Sequence, residues 1–163
     1  MTNRKAISAT LLSVCVSLCV ALALGKGSTQ VAGVTVVVLC WAVAYGIQWM
    51  IFIPSFCYKT EHYFDLTGSS TYLLVIAVAL SSAEAITFRD LLIGGVIVVW
   101  ALRLGTFLFL RIKRQGRDAR FDSIKQSFWR FLLTWTLQGL WVFLTLAMAL
   151  AAITSESKPP VDA

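Results

Sequence analysis

Five stretches of this chain, 6–24, 34–56, 71–86, 91–110 and 128–153, are apolar and long enough, or nearly so, to cross a hydrocarbon core. A helix needs about 20 residues for that crossing. Inside a bilayer the backbone has no water to bond to, so an open chain must close its own hydrogen bonds as helix. The β-branched runs at Val34 to Val38 and Val96 to Val99 therefore read as helix despite their strand propensity. A mean hydropathy of +0.80, with 58% apolar and 13% charged residues, removes the soluble alternative for these 163 residues. The expected fold is all-α, a polytopic membrane helical bundle of about five transmembrane helices over 1–154, followed by a polar, proline-interrupted tail at 155–163.

Charge orients the bundle. With the amino terminus on the cytosolic side, that side carries Arg4, Lys5, Lys59, Arg111, Lys113, Arg114, Arg117, Arg120, Lys125 and Arg130, whereas the other holds Lys26, Arg89 and Lys158. Ten cations against three place the amino terminus and the loop 111–127 in the cytosol. The first span, preceded by Asn3-Arg4-Lys5, has some look of a secretory signal, but its apolar run is longer than a signal core and further spans follow.

The net charge of +6 does not indicate nucleic-acid binding, because the cations cluster at span ends rather than on a solvated face. Cys15, Cys19, Cys40 and Cys57 form no C-x-x-C pair, and His62 is the only histidine. No metal site or Ser-His-Asp triad is indicated. The spacing of Cys15 and Cys19 suggests buried packing on one helix face.

The short connections carry helix-start signals. Thr87 stands three residues before Asp90, Asp65 to Ser69 offer turn and capping groups before the third span, and Asp122-Ser123 offer a start for the fifth.

Three polar side chains at membrane depth need a reason: Gln48, Arg103 and Gln138. Counted from the cytosolic ends of their spans, they sit at similar depths, Arg103 about 10 Å in. A charge at mid-span costs about 2.5–3.5 kcal/mol on insertion scales unless it meets a partner or a wet cavity. The expectation is that the three converge on one cytosol-open substrate cavity; the plainer reading is a snorkelling arginine and interhelical glutamines. Ala42-x-x-x-Gly46 and Ala101-x-x-x-Gly105 offer small faces for close packing within the bundle.

Read together, Trp100-Ala101-Leu102-Arg103-Leu104, then Arg111 followed by Gly116-Arg117-Asp118-Ala119-Arg120, and finally Gln138-Gly139-Leu140-Trp141 resemble the DUF1295 family of membrane proteins, related to the steroid 5-alpha-reductase carboxyl-terminal domain. Asp65-Leu66-Thr67-Gly68 is similar to the segment before that family's third helix. The resemblance covers roughly 65–148. It implies a multi-span reductase of the endoplasmic reticulum or another membrane, using NADPH to reduce a carbon–carbon double bond in a lipid or sterol-like small molecule. On that reading Arg111, Arg114, Arg117 and Arg120 bind cofactor phosphates, and Asp118 orients a guanidinium or accepts a ribose hydroxyl. The family's R-H-P-N-Y type segment is missing, so the expectation is a chain truncated before the main cofactor motif, or completed by another chain. The alternatives are an S-adenosylmethionine-dependent lipid or isoprenylcysteine-type methyltransferase relative, and a non-catalytic membrane protein whose basic loop serves topology and headgroup attraction.

Overall fold

The computed structural model describes residues 2–115 and 118–157. It is an antiparallel bundle of five helices: α1 (Asn3–Leu24), α2 (Val36–Cys57), α3 (Phe64–Ser81), α4 (Phe88–Gln115) and α5 (Phe128–Thr154). All five are long and apolar enough to cross a membrane. A short hairpin, β1 (Gln30–Val31) with β2 (Val34–Thr35), joins α1 to α2, and its turn takes Ala32 and Gly33 through positive φ.

The buried side of α1 is its small and polar side, while α2, α3 and α5 also bury Tyr45, Ile76, Phe131, Trp135, Phe143 and Leu150. In α1 the buried residues are Ala6, Ser13, Ser17 and Ala21, while Leu11, Leu12, Val16 and Leu22 face outward. Lipid is as apolar as leucine, so helices gain by close backbone approach and interhelical hydrogen bonds. Ser17 Oγ meets Tyr45 OH at 2.8 Å and accepts from Trp41 Nε1 at 2.9 Å, fixing α1 to α2. Trp49 Nε1 donates to Thr136 Oγ1 at 3.1 Å, and Tyr72 OH meets Thr145 Oγ1 at 2.6 Å. Helix α5 packs on α1, α2 and α3, whereas α4 packs chiefly on α3. Thus α3 stands between α4 and the α2–α5 pair.

The third helix departs most from its expected bounds, running over Phe64–Ser81 rather than 71–86. The polar residues that looked like a turn before the span form its first turns, and Asp65, Gly68 and Ser69 each face a neighbouring helix. Asp65 pairs with Arg111, Thr67 Oγ1 donates to Tyr63 O, Gly68 receives Gln138, and Ser69 lies under Gly105. At the other helix starts, Thr87 and Asp90 bond reciprocally ahead of α4, as expected. Helix α5 begins only at Phe128, so Asp122 and Ser123 belong to the preceding turns.

Helix α4 is also longer than its apolar run. Its 28 residues span about 42 Å at 1.5 Å each, more than a hydrocarbon core of about 30 Å, so 111–115 is a helical extension rather than loop. At the opposite end the first tail residues are tied down. Ser28 bridges to Ser155, Thr29 N donates to Thr154 O at 2.8 Å, and Glu156 N donates to Gly27 O at 3.0 Å. Two packing expectations are corrected. Cys15 and Cys19 are exposed, and the Ala42 to Gly46 face is not a packing seam, since Ala42 is exposed and Gly46 meets open space. Ala101 and Gly105 do pack inward on α3.

Candidate functional site

At the basic end of the bundle, the link between α2 and α3 and the segment between α4 and α5 are bound together by carboxylates. Glu61, 3% exposed, accepts from Lys125 Nζ at 2.8 Å and from the Asp118 amide at 3.1 Å. Asp118 in turn takes Arg120 side-on, through Nε at 2.9 and 3.0 Å and through Nη2. Arg111 Nη2 reaches Asp65 at 3.3 Å. A single 3-10 turn, Ala119–Phe121, drives Phe121 into a buried aromatic cluster with Phe52, Phe131 and Trp135. Its ring lies 5.0 Å from Phe64, anchoring the segment between α3 and α5.

The charges follow this geometry. Burial raises the Glu61 carboxyl, but the bonds from Lys125 and the Asp118 amide outweigh it and hold the carboxyl below its ordinary value. The Arg120 bond likewise holds Asp118 low, and Glu61 holds Lys125 high. Three of the expected or neighbouring cations, Arg111, Arg120 and Lys125, therefore already have carboxylate partners. Arg114 is exposed and has none among the described residues, and Arg117 lies outside the described residues.

The three polar residues at membrane depth do not converge. Gln48 is fully buried and donates to Thr71 Oγ1 at 3.0 Å, while Gln138 donates to Phe64 O at 3.1 Å and fills the space left by Gly68. Both fasten α3 to α2 and α5. Arg103 is exposed on the far side of α3, where it lines a cavity of about 230 Å³ with Trp100, Leu104 and Phe107. The helical count left its facing open, and small residues at 101 and 105 claimed the inward side of α4.

On that outward side α4 carries a continuous strip. Leu91, Leu92, Val96 and Val99 lead to Trp100 and Arg103; Phe107 is shared with a second cavity of about 370 Å³ lined by Leu110, Arg111 and Arg114. Arg103 to Arg114 spans eleven residues, or about 16 Å. Arg103, like Arg114, has no carboxylate partner among the described residues.

Sequence reasoning missed Glu61, Asp65 and Lys125 as the clamp. A signal existed: four carboxylates, Glu61, Asp65, Asp118 and Asp122, fall at the same end as the basic segment. A family model described as "Protein of unknown function (DUF1295)" matches residues 49–163. No curated protein and no solved structure matches the chain.

Proposed function

The chain belongs to the DUF1295 family, and we propose that this multi-pass membrane protein binds NADPH along the arginine face of α4 and serves reduction of a carbon–carbon double bond in a lipid or sterol-like substrate. One observation carries the reading: Arg103 and Arg114, both without carboxylate partners among the described residues, lie on one strip with Arg111 between them. Guanidinium groups bind phosphate as planar forks, and two long side chains from residues about 16 Å apart along one helix can reach along the strip toward the phosphates of an extended dinucleotide. When bound, NADPH supplies the hydride; the protein positions it and excludes water. In this reading Arg103 and Arg114 hold phosphates, and Trp100 and Phe107 shield the strip. Arg111 divides itself between Asp65 and the cofactor, and Arg120 with Asp118 shapes the adjoining segment. Arg117 keeps its proposed phosphate role from the sequence alone. The positive-inside imbalance supports a cytosolic position for this end of the bundle, where the dinucleotide is dissolved.

The ion pairs support a second reading. Since Arg111, Arg120 and Lys125 are partnered internally, the basic segment also fits a non-catalytic membrane protein in which charge fixes the fold and its orientation. S-adenosylmethionine carries no phosphate and a single carboxylate, which would engage only one of the two unpartnered guanidinium groups. Titrating the folded chain in nanodiscs with NADPH and with S-adenosylmethionine separates the readings: saturable NADPH binding supports the reductase, S-adenosylmethionine binding the methyltransferase, and neither the non-catalytic protein.

A further inference from the structure

On the other side of α3 from the arginine strip, the basic-end halves of α2 and α3 enclose a groove of about 610 Å³. This is within the range of about 300–1,000 Å³ found for small-molecule sites. Ile47, Ile51, Pro54 and Leu66 supply its apolar wall, and six hydroxyl residues complete the lining. Two of the six are engaged, Thr60 with His62 and Thr67 with Tyr63 O. The hydroxyls of Ser55, Tyr58, Tyr63 and Ser70 make no hydrogen bond among the described residues. Ser55 is the most telling, being only 3% exposed and yet opening into the groove. Helical serines at membrane depth ordinarily bond back to a carbonyl one turn earlier, as Ser13 and Ser17 do in α1. Ser55 and Ser70 keep that capacity free.

We propose that this groove binds one uncharged lipid of the acylglycerol class, its hydroxyl and ester head among Ser55, Tyr58, Tyr63 and Ser70 and its chain along Ile51 and Ile47. The chemistry selects the class. No charged side chain lines the groove, so a carboxylate or phosphate head would go unpaired there, whereas a glycerol head both donates and accepts. From Tyr58 back to Ile47 the groove follows eleven residues of α2, about 16 Å, which gives an extended chain a path into the membrane. The tyrosines stand at the helix ends, where amphipathic rings meet the headgroup layer. The site stands whether or not the α4 strip binds a dinucleotide.

The test uses the full chain in phosphatidylcholine nanodiscs with a photoactivatable long-chain monoacylglycerol, followed by peptide mapping. Labelling is expected to concentrate within 47–70 and to be competed by unlabelled monoacylglycerol, but not by the fatty acid of equal chain length. The double variant Ser55→Ala with Ser70→Ala, which removes hydroxyls without adding bulk, should lower labelling about fivefold, the scale of roughly one lost hydrogen bond. Ser55→Phe, which fills the groove, should abolish it. Labelling spread over the outward faces of α1 and α4, equal competition by the fatty acid, or unchanged labelling in a folded double-alanine variant would overturn the proposal.

Discussion

Lys125 donates to Glu61 across 2.8 Å, joining the segment before α5 to the link before α3 through a carboxylate that is almost fully withdrawn from solvent. Removing Glu61 leaves Lys125 only the more exposed Asp122, 3.6 Å away, whereas removing Lys125 leaves the buried Glu61 carboxylate without a cation among the described residues. Glu61→Gln should therefore lower the stability of the chain by about 1–3 kcal/mol. The loss should appear as a lower apparent unfolding temperature in detergent and as faster proteolysis within 118–127. Lys125→Met, which removes the cation and keeps the apolar stem, should cost the same or more, because it strands the buried carboxylate.

The same pair sets a pH window. Glu61 has a folded-state pKa below its ordinary value of 4.5, so its contribution is present above that value and fades as pH falls through the lowered one. Lys125 is shifted upward, so its contribution is present below its ordinary value of 10.5 and is lost only as pH rises through the raised one. Protection of 118–127 from protease should be flat between these limits and fall on the acid side. In Glu61→Gln the acid loss should shrink, leaving the share due to Asp118, which Arg120 also holds low.

Close approach of α3 and α4 rests on Gly105. A Cβ there would stand 2.6 Å from Ser69 Cβ and 2.8 Å from its Oγ, inside any real contact. Gly105→Ala should separate the helices and cost about 1–3 kcal/mol, whereas Gly46→Ala, which meets open space, should change stability little. Thermal unfolding of the two variants in one detergent checks the contrast.

How much of this was legible beforehand depended on which force decided each feature. Five helices followed from apolar length, because a bilayer leaves the backbone no other option. The Thr87–Asp90 start was readable because both partners are local. The start of α3 was not, since Asp65, Gly68 and Ser69 enter a helix only once Arg111, Gln138 and Gly105 arrive from distant sequence to meet them. The facing of Arg103 was hidden for a related reason: on α4 the small Ala101 and Gly105 turn inward while Leu102, Phe107 and Leu110 turn outward, so the usual apolar-inward pattern does not point to the core there.

The α1–α2 contact gives a separate check on interhelical bonding. Ser17→Ala deprives Tyr45 OH of one partner and Trp41 Nε1 of its acceptor. Such bonds between membrane helices average about 0.6 kcal/mol and reach about 1.7, and the shared acceptor places this loss toward the upper value. Measuring Ser17→Ala, Tyr45→Phe and the double variant by reversible unfolding should return a positive coupling energy, since one hydroxyl serves both rings.

The most direct test of the proposed function is the NADPH affinity of the folded chain in nanodiscs, compared among Arg103→Gln, Arg114→Gln and Arg120→Gln. Charge-assisted bonds to phosphate contribute about 1.5–3 kcal/mol, so each of the first two substitutions should weaken binding by roughly ten- to hundredfold. Arg120→Gln should weaken it less, because that guanidinium already serves Asp118. Absence of NADPH binding in a folded sample, or equal affinity in wild type, Arg103→Gln and Arg114→Gln, would contradict the assignment of the α4 strip as a cofactor site.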